Sequence, residues 1–461
     1  QAIAPFERAL MATGDPARRA ALKADLGGSY ANIGDERGLA YLLEALDELD
    51  PATQPKEAAS AALWAGFYHH LSAQYGRALS YLERAGKLLE GLDDPASLHF
   101  YYGYMAIVLM YAGRFEESMG WARRDIALGE TRGDIPAVVL GYLYLAECSE
   151  YLGRWDDTVR YAEQGQSFAH QSAWSSFAVW NELEHLVVLY YRGQLDAGRE
   201  LALGALERAT TLNDRRAVLH IEKLLVLIEA ARGDEEAALR VGAASLQAVD
   251  EVVGVGIRSW IRIALAQVHM QREEWAPALV LLEQCAALLA GTDNRVIRME
   301  LGAPLAETYR ALGRLEEAER LLAETLALTG GAGARQCEMA ARRMRGRLLL
   351  TEGLPADAIA ALDGAVALGE DLGSELELAH ALLDRSAARR AAGEAAEAHV
   401  DCARDCELAE RLGARALLWR ARAALGQLAT EAGRKQEASR EYAAARAVVA
   451  ELCAAMGDER P

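Results

Sequence analysis

The chain has 461 residues, rich in Ala, Leu, Glu and Arg, with only 10 Pro. That composition forms helices and leaves little from which to build a sheet. The formal net charge of −19 argues against a general affinity for nucleic acid or an anionic membrane, and no apolar run reaches the roughly 18 residues that a spanning helix needs.

The chain opens on Gln1-Ala2-Ile3-Ala4-Pro5, without an initiator Met and without a charged stretch leading into an apolar one. No secretory signal is visible, and the chain reads as a piece cut from a longer protein. Gly34 marks a first turn. From Ala73 a strict period begins, and steps of forty reach Gly113, Gly153, Gly193, Gly233, Glu273, Gly313, Gly353, Gly393 and Gly433 with no insertion or deletion. A self-similarity of this length is the signature of a repeat array.

Other columns keep the same register. Five residues after each anchor stand Ala78, Ser118, Thr158, Gly198, Ala238, Ala278, Ala318, Ala358, Ala398 and Ala438, all small, as two closely touching helices require. Seven residues before the anchor, Gly66, Ala106, Ala146, Ala266, Ala306, Gly346, Ser386 and Gly426 supply the other half of that contact; Leu186 and Val226 interrupt it. Two residues after it, Tyr75, Phe115, Trp155, Leu195, Trp275 and Leu315 plug the turn. Twenty residues after it, Asp93, Gly133, Asn213, Asp293, Gly333, Gly373 and Gly413 predict a second turn, since these residues cap helices or tolerate positive φ. Ala173 and Val253 break that column. Each unit is therefore a helix of about 16–18 residues, a tight turn, a second such helix and another turn.

The segments Ala112-Gly113-Arg114-Phe115-Glu116-Glu117-Ser118 and Leu312-Gly313-Arg314-Leu315-Glu316-Glu317-Ala318 resemble the tetratricopeptide pattern. The match runs from about residue 16 to 456, with a period of forty in place of the family's 34 and without the Pro that often ends a unit. In this it resembles the C-terminal sensor arrays of bacterial STAND-type signalling ATPases, the maltose-regulon-activator-like proteins. The resemblance implies an all-α, right-handed superhelical solenoid of about eleven antiparallel helix pairs, with the first helix of each pair lining a concave wall. One solenoid is expected over 1-461: an irregular capping repeat over 1-55, aromatic-rich repeats over 56-295, and Arg/Glu-rich repeats over 296-461 with a C-terminal capping helix. Such folds offer long binding surfaces. The expected function is a non-catalytic binding or sensor module of a cytoplasmic regulator; the alternative is a passive scaffold without a ligand.

No catalytic constellation is present. The single Gly-Lys, Gly86-Lys87, continues into Leu88 inside a helix and cannot cradle a phosphate. His69 and His70 point about 100° apart on a helix, and even with His99 from the next unit no metal site is expected. Glu147 and Glu150, one turn apart, read as a solvated or ligand-bonding edge rather than an acid/base pair. Cys402 and Cys406 read as small helical fillers of a reduced protein. No cofactor is expected.

The aromatic residues are uneven: 23 lie between Trp64 and Tyr191, and five follow. The columns that face the trough in arrays this chain resembles, thirteen, six, three and two residues before the anchor, give Phe67, His70, Phe100, Ile107, Met110, Tyr111, Tyr151, Trp180, Tyr190, Tyr191, His220 and Trp260, with Glu147, Glu150, Lys223 and Gln267 among them. An aromatic wall with a few polar groups suits capture of a protein or peptide segment, or of a small-molecule inducer. The same columns equally suit a bulkier core or a superhelix that closes on itself. Beyond the seventh unit they turn to Arg310, Arg343, Arg347, Arg390 and Arg420, which suit carboxylates or phosphates unless they are paired internally. Other domains of the same longer chain are further expected partners; nucleic acid and membrane are not.

Overall fold

The computed structural model describes residues 3–33, 35–170, 175–250 and 254–458; Gly34, Ala173 and Val253 lie outside them. Among the described residues there are 23 helices and no strand. The first, Ile3–Ala12, has no buried residue, and the remaining 22 form eleven antiparallel pairs from Pro16 to Asp458. No described helix is long and apolar enough to cross a membrane.

The forty-residue period is written into the turns. Every anchor glycine from Gly113 to Gly433 has φ between 71° and 93°, the left-handed region that costs glycine nothing. At the first of them Gly113 N–H donates to Met110 O and Arg114 N–H to Leu109 O, both at 2.8 Å, closing the helix Pro95–Tyr111. Ala73 (φ 52°) and Glu273 (φ 59°) hold the same conformation without glycine. The second turns use Gly133, Asn213, Gly333, Gly373 and Gly413 in the same way. Where Asp93 and Asp293 occupy that column, the left-handed residue moves two positions earlier, to Gly91 and Gly291.

The two small columns face each other inside each hairpin and are buried throughout. Where serine replaces alanine, its hydroxyl crosses the contact: Ser118 Oγ donates to Ala106 O at 2.7 Å and Ser386 Oγ to Ala398 O at 2.8 Å. The helices that precede the anchors line the lumen of the superhelix, and those that follow form its outer layer.

Of the arrangements that the sequence leaves open, the structure has the superhelix whose turns touch. Asn294 lies 219 residues beyond Tyr75 and bonds to it. Ala332 beside Gly113, Leu372 beside Gly153, Leu412 beside Gly193 and Leu452 beside Gly233 repeat that separation. One superhelical turn therefore takes about five and a half units. Gly313, Gly353, Gly393 and Gly433 have nothing against them, because no described residue lies a full turn further on. The turn plugs follow the same division. Tyr75, Phe115, Trp155 and Leu195 are buried, whereas Trp275 and Leu315, with no turn above them, are only half-buried.

Candidate functional site

Turn-on-turn stacking closes the lumen into two cavities that share Lys223 and Trp260 as a common wall. The larger has a volume of about 380 Å³. Of the residues expected to bind, it is lined by Tyr190, Tyr191, Trp260, Gln267, Arg343, Arg347 and Arg420. The smaller, about 20 Å³, is lined by Met110, Tyr111, Glu147, Glu150, Tyr151, His220 and Trp260. Phe67, His70, Phe100, Ile107, Trp180, Arg310 and Arg390 line neither.

Those outside the cavities have other neighbours. Phe67 stacks on Tyr104 with ring centroids 5.1 Å apart, Phe100 is 48% exposed beside them, and His70 packs between Tyr75 and Tyr111. Trp180 belongs to the wall: its indole N–H donates to Asp214 at 3.0 Å and its ring meets His220 edge-on. His220 in turn stacks on Trp260 at 4.9 Å. The three residues are spaced by forty and form an aromatic ladder across successive inner helices.

Internal pairing accounts for most of the arginine set. Arg310 grips Glu307 through two nitrogens at 2.8 Å, and Arg347 reaches both Glu307 and Asp384 at 2.8 Å. Arg343 faces Glu377 at 3.1 Å, and Arg390 meets Glu431 in the next unit at 2.8 Å. Burial pushes the Glu307 carboxyl up, but Arg310 and Arg347 outweigh it and hold the group below the usual range. Arg420 has no carboxylate: it donates to Ala416 O and, across the lumen, to Gln271 O, at 2.7 and 2.8 Å. Donors remain nonetheless, since Arg347 Nε and Trp260 Nε1 are buried without a hydrogen-bond acceptor.

The large cavity also exposes main-chain chemistry. Pro304 sits inside the helix Arg295–Ala311. Lacking an N–H, it leaves the Glu300 carbonyl without its helical donor, and both residues line the cavity. The side-chain amides of Gln267, Gln271 and Gln336 face the same space.

The small cavity has the opposite character. Glu147 and Glu150 come from the helix Ile135–Tyr151 and Glu184 from the next inner helix, Ser175–Tyr191. Glu184 is 2% exposed and one of its carboxylate oxygens has no partner. The area that Glu147 and Glu150 expose faces the enclosed lumen. Burial pushes all three carboxyls well above the ordinary range; mutual repulsion adds to it, and Arg216 and Lys223 oppose it. Burial, reinforced by Lys223 and Arg216, keeps His220 neutral. The Lys223 ammonium lies over the Trp260 ring, 5.1 Å from its centroid.

Glu184, Asp384 and His380 are lumen residues that the sequence reading passed over. Glu184 and Asp384 share the column nine residues before the anchor, where Leu224, Ala264 and Met344 are apolar. An acid in an otherwise apolar column was the available signal. His380 stands in the column of Trp180, His220 and Trp260 and could have been read directly. No group of three metal-ligating side chains forms among the described residues. His69 bonds Gln74 and His99 bonds Asp125, the latter at 2.8 Å, and Cys402 and Cys406 are buried and free.

No protein-family model matches the chain, and neither does any curated protein sequence. Solved structures share its fold. A Rap protein complexed with competence and sporulation factor is 12% identical over 77% of this chain and 99% of its own, with a TM-score of 0.55. The Rap conjugation gene regulator of plasmid pLS20, in complex with a Phr peptide, is 13% identical over 77% and 95%, with a TM-score of 0.51. The Cut9–Hcn1 hetero-tetramer of the APC/C is 13% identical over 96% and 89%, with a TM-score of 0.50. With its all-helical hairpins and forty-residue period, the chain is a tetratricopeptide-like solenoid.

Proposed function

We propose that the chain is a non-catalytic receptor module that holds a short peptide segment, or the end of a partner chain, inside its lumen. The observation that carries this reading is the cavity of about 380 Å³ in the lumen, open to solvent on one side, within the roughly 300–1,000 Å³ of ordinary ligand sites. Its lining supplies what a peptide needs: carboxamides that both donate and accept, a freed carbonyl at Glu300, buried guanidinium donors, and apolar walls from Leu227, Ile263 and Met299. The Rap structures with bound factor and Phr peptide lend support by analogy of fold. The carboxylates of Glu300, Glu307, Glu377 and Asp384 disfavour a phosphate backbone in the same space. The resemblance of the forty-residue units to sensor arrays of signalling ATPases suggests the setting, a cytoplasmic regulator in which occupancy of the lumen is sensed by other parts of a longer chain.

Selection from a random peptide library tests the proposal. Peptides enriched on the parent should bind Gln267→Trp, which fills the cavity, at least tenfold more weakly, with the thermal melt unchanged. The turn-to-turn contacts favour a second reading, a rigid scaffold. It prevails if no peptide is enriched, or if Gln267→Trp binds as the parent does.

A further inference from the structure

The small cavity gathers more carboxyl groups than the protein pairs. Glu147, Glu150 and Glu184 line it together, none of them forms an ion pair within 4 Å among the described residues, and Lys223 is the one cationic side chain in its lining. Isolated carboxylates in such a place cost several kcal/mol unless they are protonated or paired. Two independent polar groups are left open beside them: one oxygen of Glu184, 98% buried, and Nδ1 of His220, 92% buried. Around them stand Tyr111, Tyr151 and Trp260, and the Trp260 ring already carries the Lys223 ammonium over it.

We propose that this chamber is a subsite for a primary ammonium group, carried on a slender chain whose body occupies the larger cavity. The inference rests on the receptor reading above and specifies part of its ligand. Size selects the group. A volume of about 20 Å³ admits one water-sized head, which an ammonium is and a planar guanidinium is not. Chemistry selects it too, because an ammonium brings a positive charge and N–H donors to a chamber whose open groups, a Glu184 oxygen and His220 Nδ1, can accept. A bare metal ion fits less well, since no set of three ligating side chains comes within coordinating distance among the described residues. Lys223 and Trp260 border both cavities, so the ligand's ammonium enters past them. The Lys223 ammonium is then the internal cation with which the ligand competes.

Titration calorimetry of the full chain at pH 8 with 1,5-diaminopentane, against 1,5-pentanediol as its uncharged counterpart, tests the assignment. The diamine should bind at least tenfold more tightly than the diol. Glu184→Gln combined with Glu150→Gln should weaken the diamine at least tenfold without affecting the diol. Lys223→Met, which removes the competitor, should strengthen the diamine severalfold; a purely structural role for the acids predicts no such gain. Equal binding of diamine and diol overturns the proposal, as does the absence of diamine binding or a glutamine variant that behaves like the parent. Each of these outcomes leaves the peptide selection at Gln267 untouched, so loss of the ammonium subsite and loss of the receptor reading are told apart.

Discussion

Asn294 and Tyr75 stand 219 residues apart, yet the Asn294 side-chain amide donates to the Tyr75 hydroxyl oxygen at 3.2 Å in a buried contact between two superhelical turns. Asp293, next to it, accepts from the backbone N–H groups of Tyr75 and Gly76 at 2.5 and 2.6 Å. It thereby caps the helix Tyr75–Leu89, whose own N-cap residue, Gln74, makes no such bond. A carboxylate at a helix N-terminus satisfies open donors and meets the positive end of the helix dipole.

Asp293→Ala should accordingly destabilise the protein by about 1–2 kcal/mol and loosen the first turn from the second. Asp293→Asn should retain most of the stability. Thermal melts read the first effect, and small-angle scattering reads the second as a larger radius of gyration for the alanine variant alone. An unchanged radius and melt for Asp293→Ala would mean that the turns are held together without this cap.

The small column sets a second expectation. Ala318 is fully buried where the hairpin helices touch, so Ala318→Leu forces them apart and should cost about 1–3 kcal/mol. In a linear array the damage would stay with near neighbours. Here a turn also rests on the one a full superhelical step away, so hydrogen exchange should rise in distant units as well. A loss of protection limited to the units flanking Ala318 would count against turn-to-turn coupling.

Glu273 offers a stabilising change. It occupies an anchor position with φ 59°, a conformation that costs a residue with a side chain roughly 1–2 kcal/mol. Glu273→Gly restores the residue found at most other anchors and should raise stability by up to about 1 kcal/mol, after the greater freedom of glycine in the unfolded chain is subtracted. Urea denaturation at constant pH measures it; a destabilised variant would show that the Glu273 side chain contributes something its backbone strain conceals.

What could be read from the sequence was whatever repeats locally. The anchors and both small columns depend on residues within one unit or its neighbour, and a strict period displays them; the choice of inner helix came from the family resemblance. Turn-on-turn closure could be named as an alternative but not chosen, because it depends on the rotation per unit, and a rotation accumulated over five and a half units leaves no mark in any one column. Its consequences were missed for the same reason. Tyr75 and Trp275 carry the same signal as turn plugs, yet one lies beneath another turn and the other does not. The arginines show the complementary limit: internal pairing was one of the readings for Arg347, and only the fold identifies its partners, Glu307 and Asp384 in the units on either side.

Asp405 supplies a test that depends on pH. It is fully buried on the helix Ala395–Arg411, and neither carboxylate oxygen has a partner. Burial, with a smaller contribution from Asp384, pushes its pKa up to about 8 from an ordinary 3.8. The folded chain therefore keeps a proton that the unfolded chain releases near pH 4. Between these values the folded state binds more protons than the unfolded state, so its stability falls as pH rises, and above about pH 8 the loss is complete. Asp405→Asn removes the titration while keeping shape and polarity. The variant should match the parent near pH 4 and exceed it by a few kcal/mol at pH 9, at up to about 1.4 kcal/mol per pH unit in between. Other buried acids, Glu147 and Glu184 among them, titrate in both proteins and cancel in the difference. Urea denaturation of the pair at four pH values between 4 and 9 measures it, and a difference that does not change with pH would mean that Asp405 ionises in the folded protein as readily as in the unfolded one.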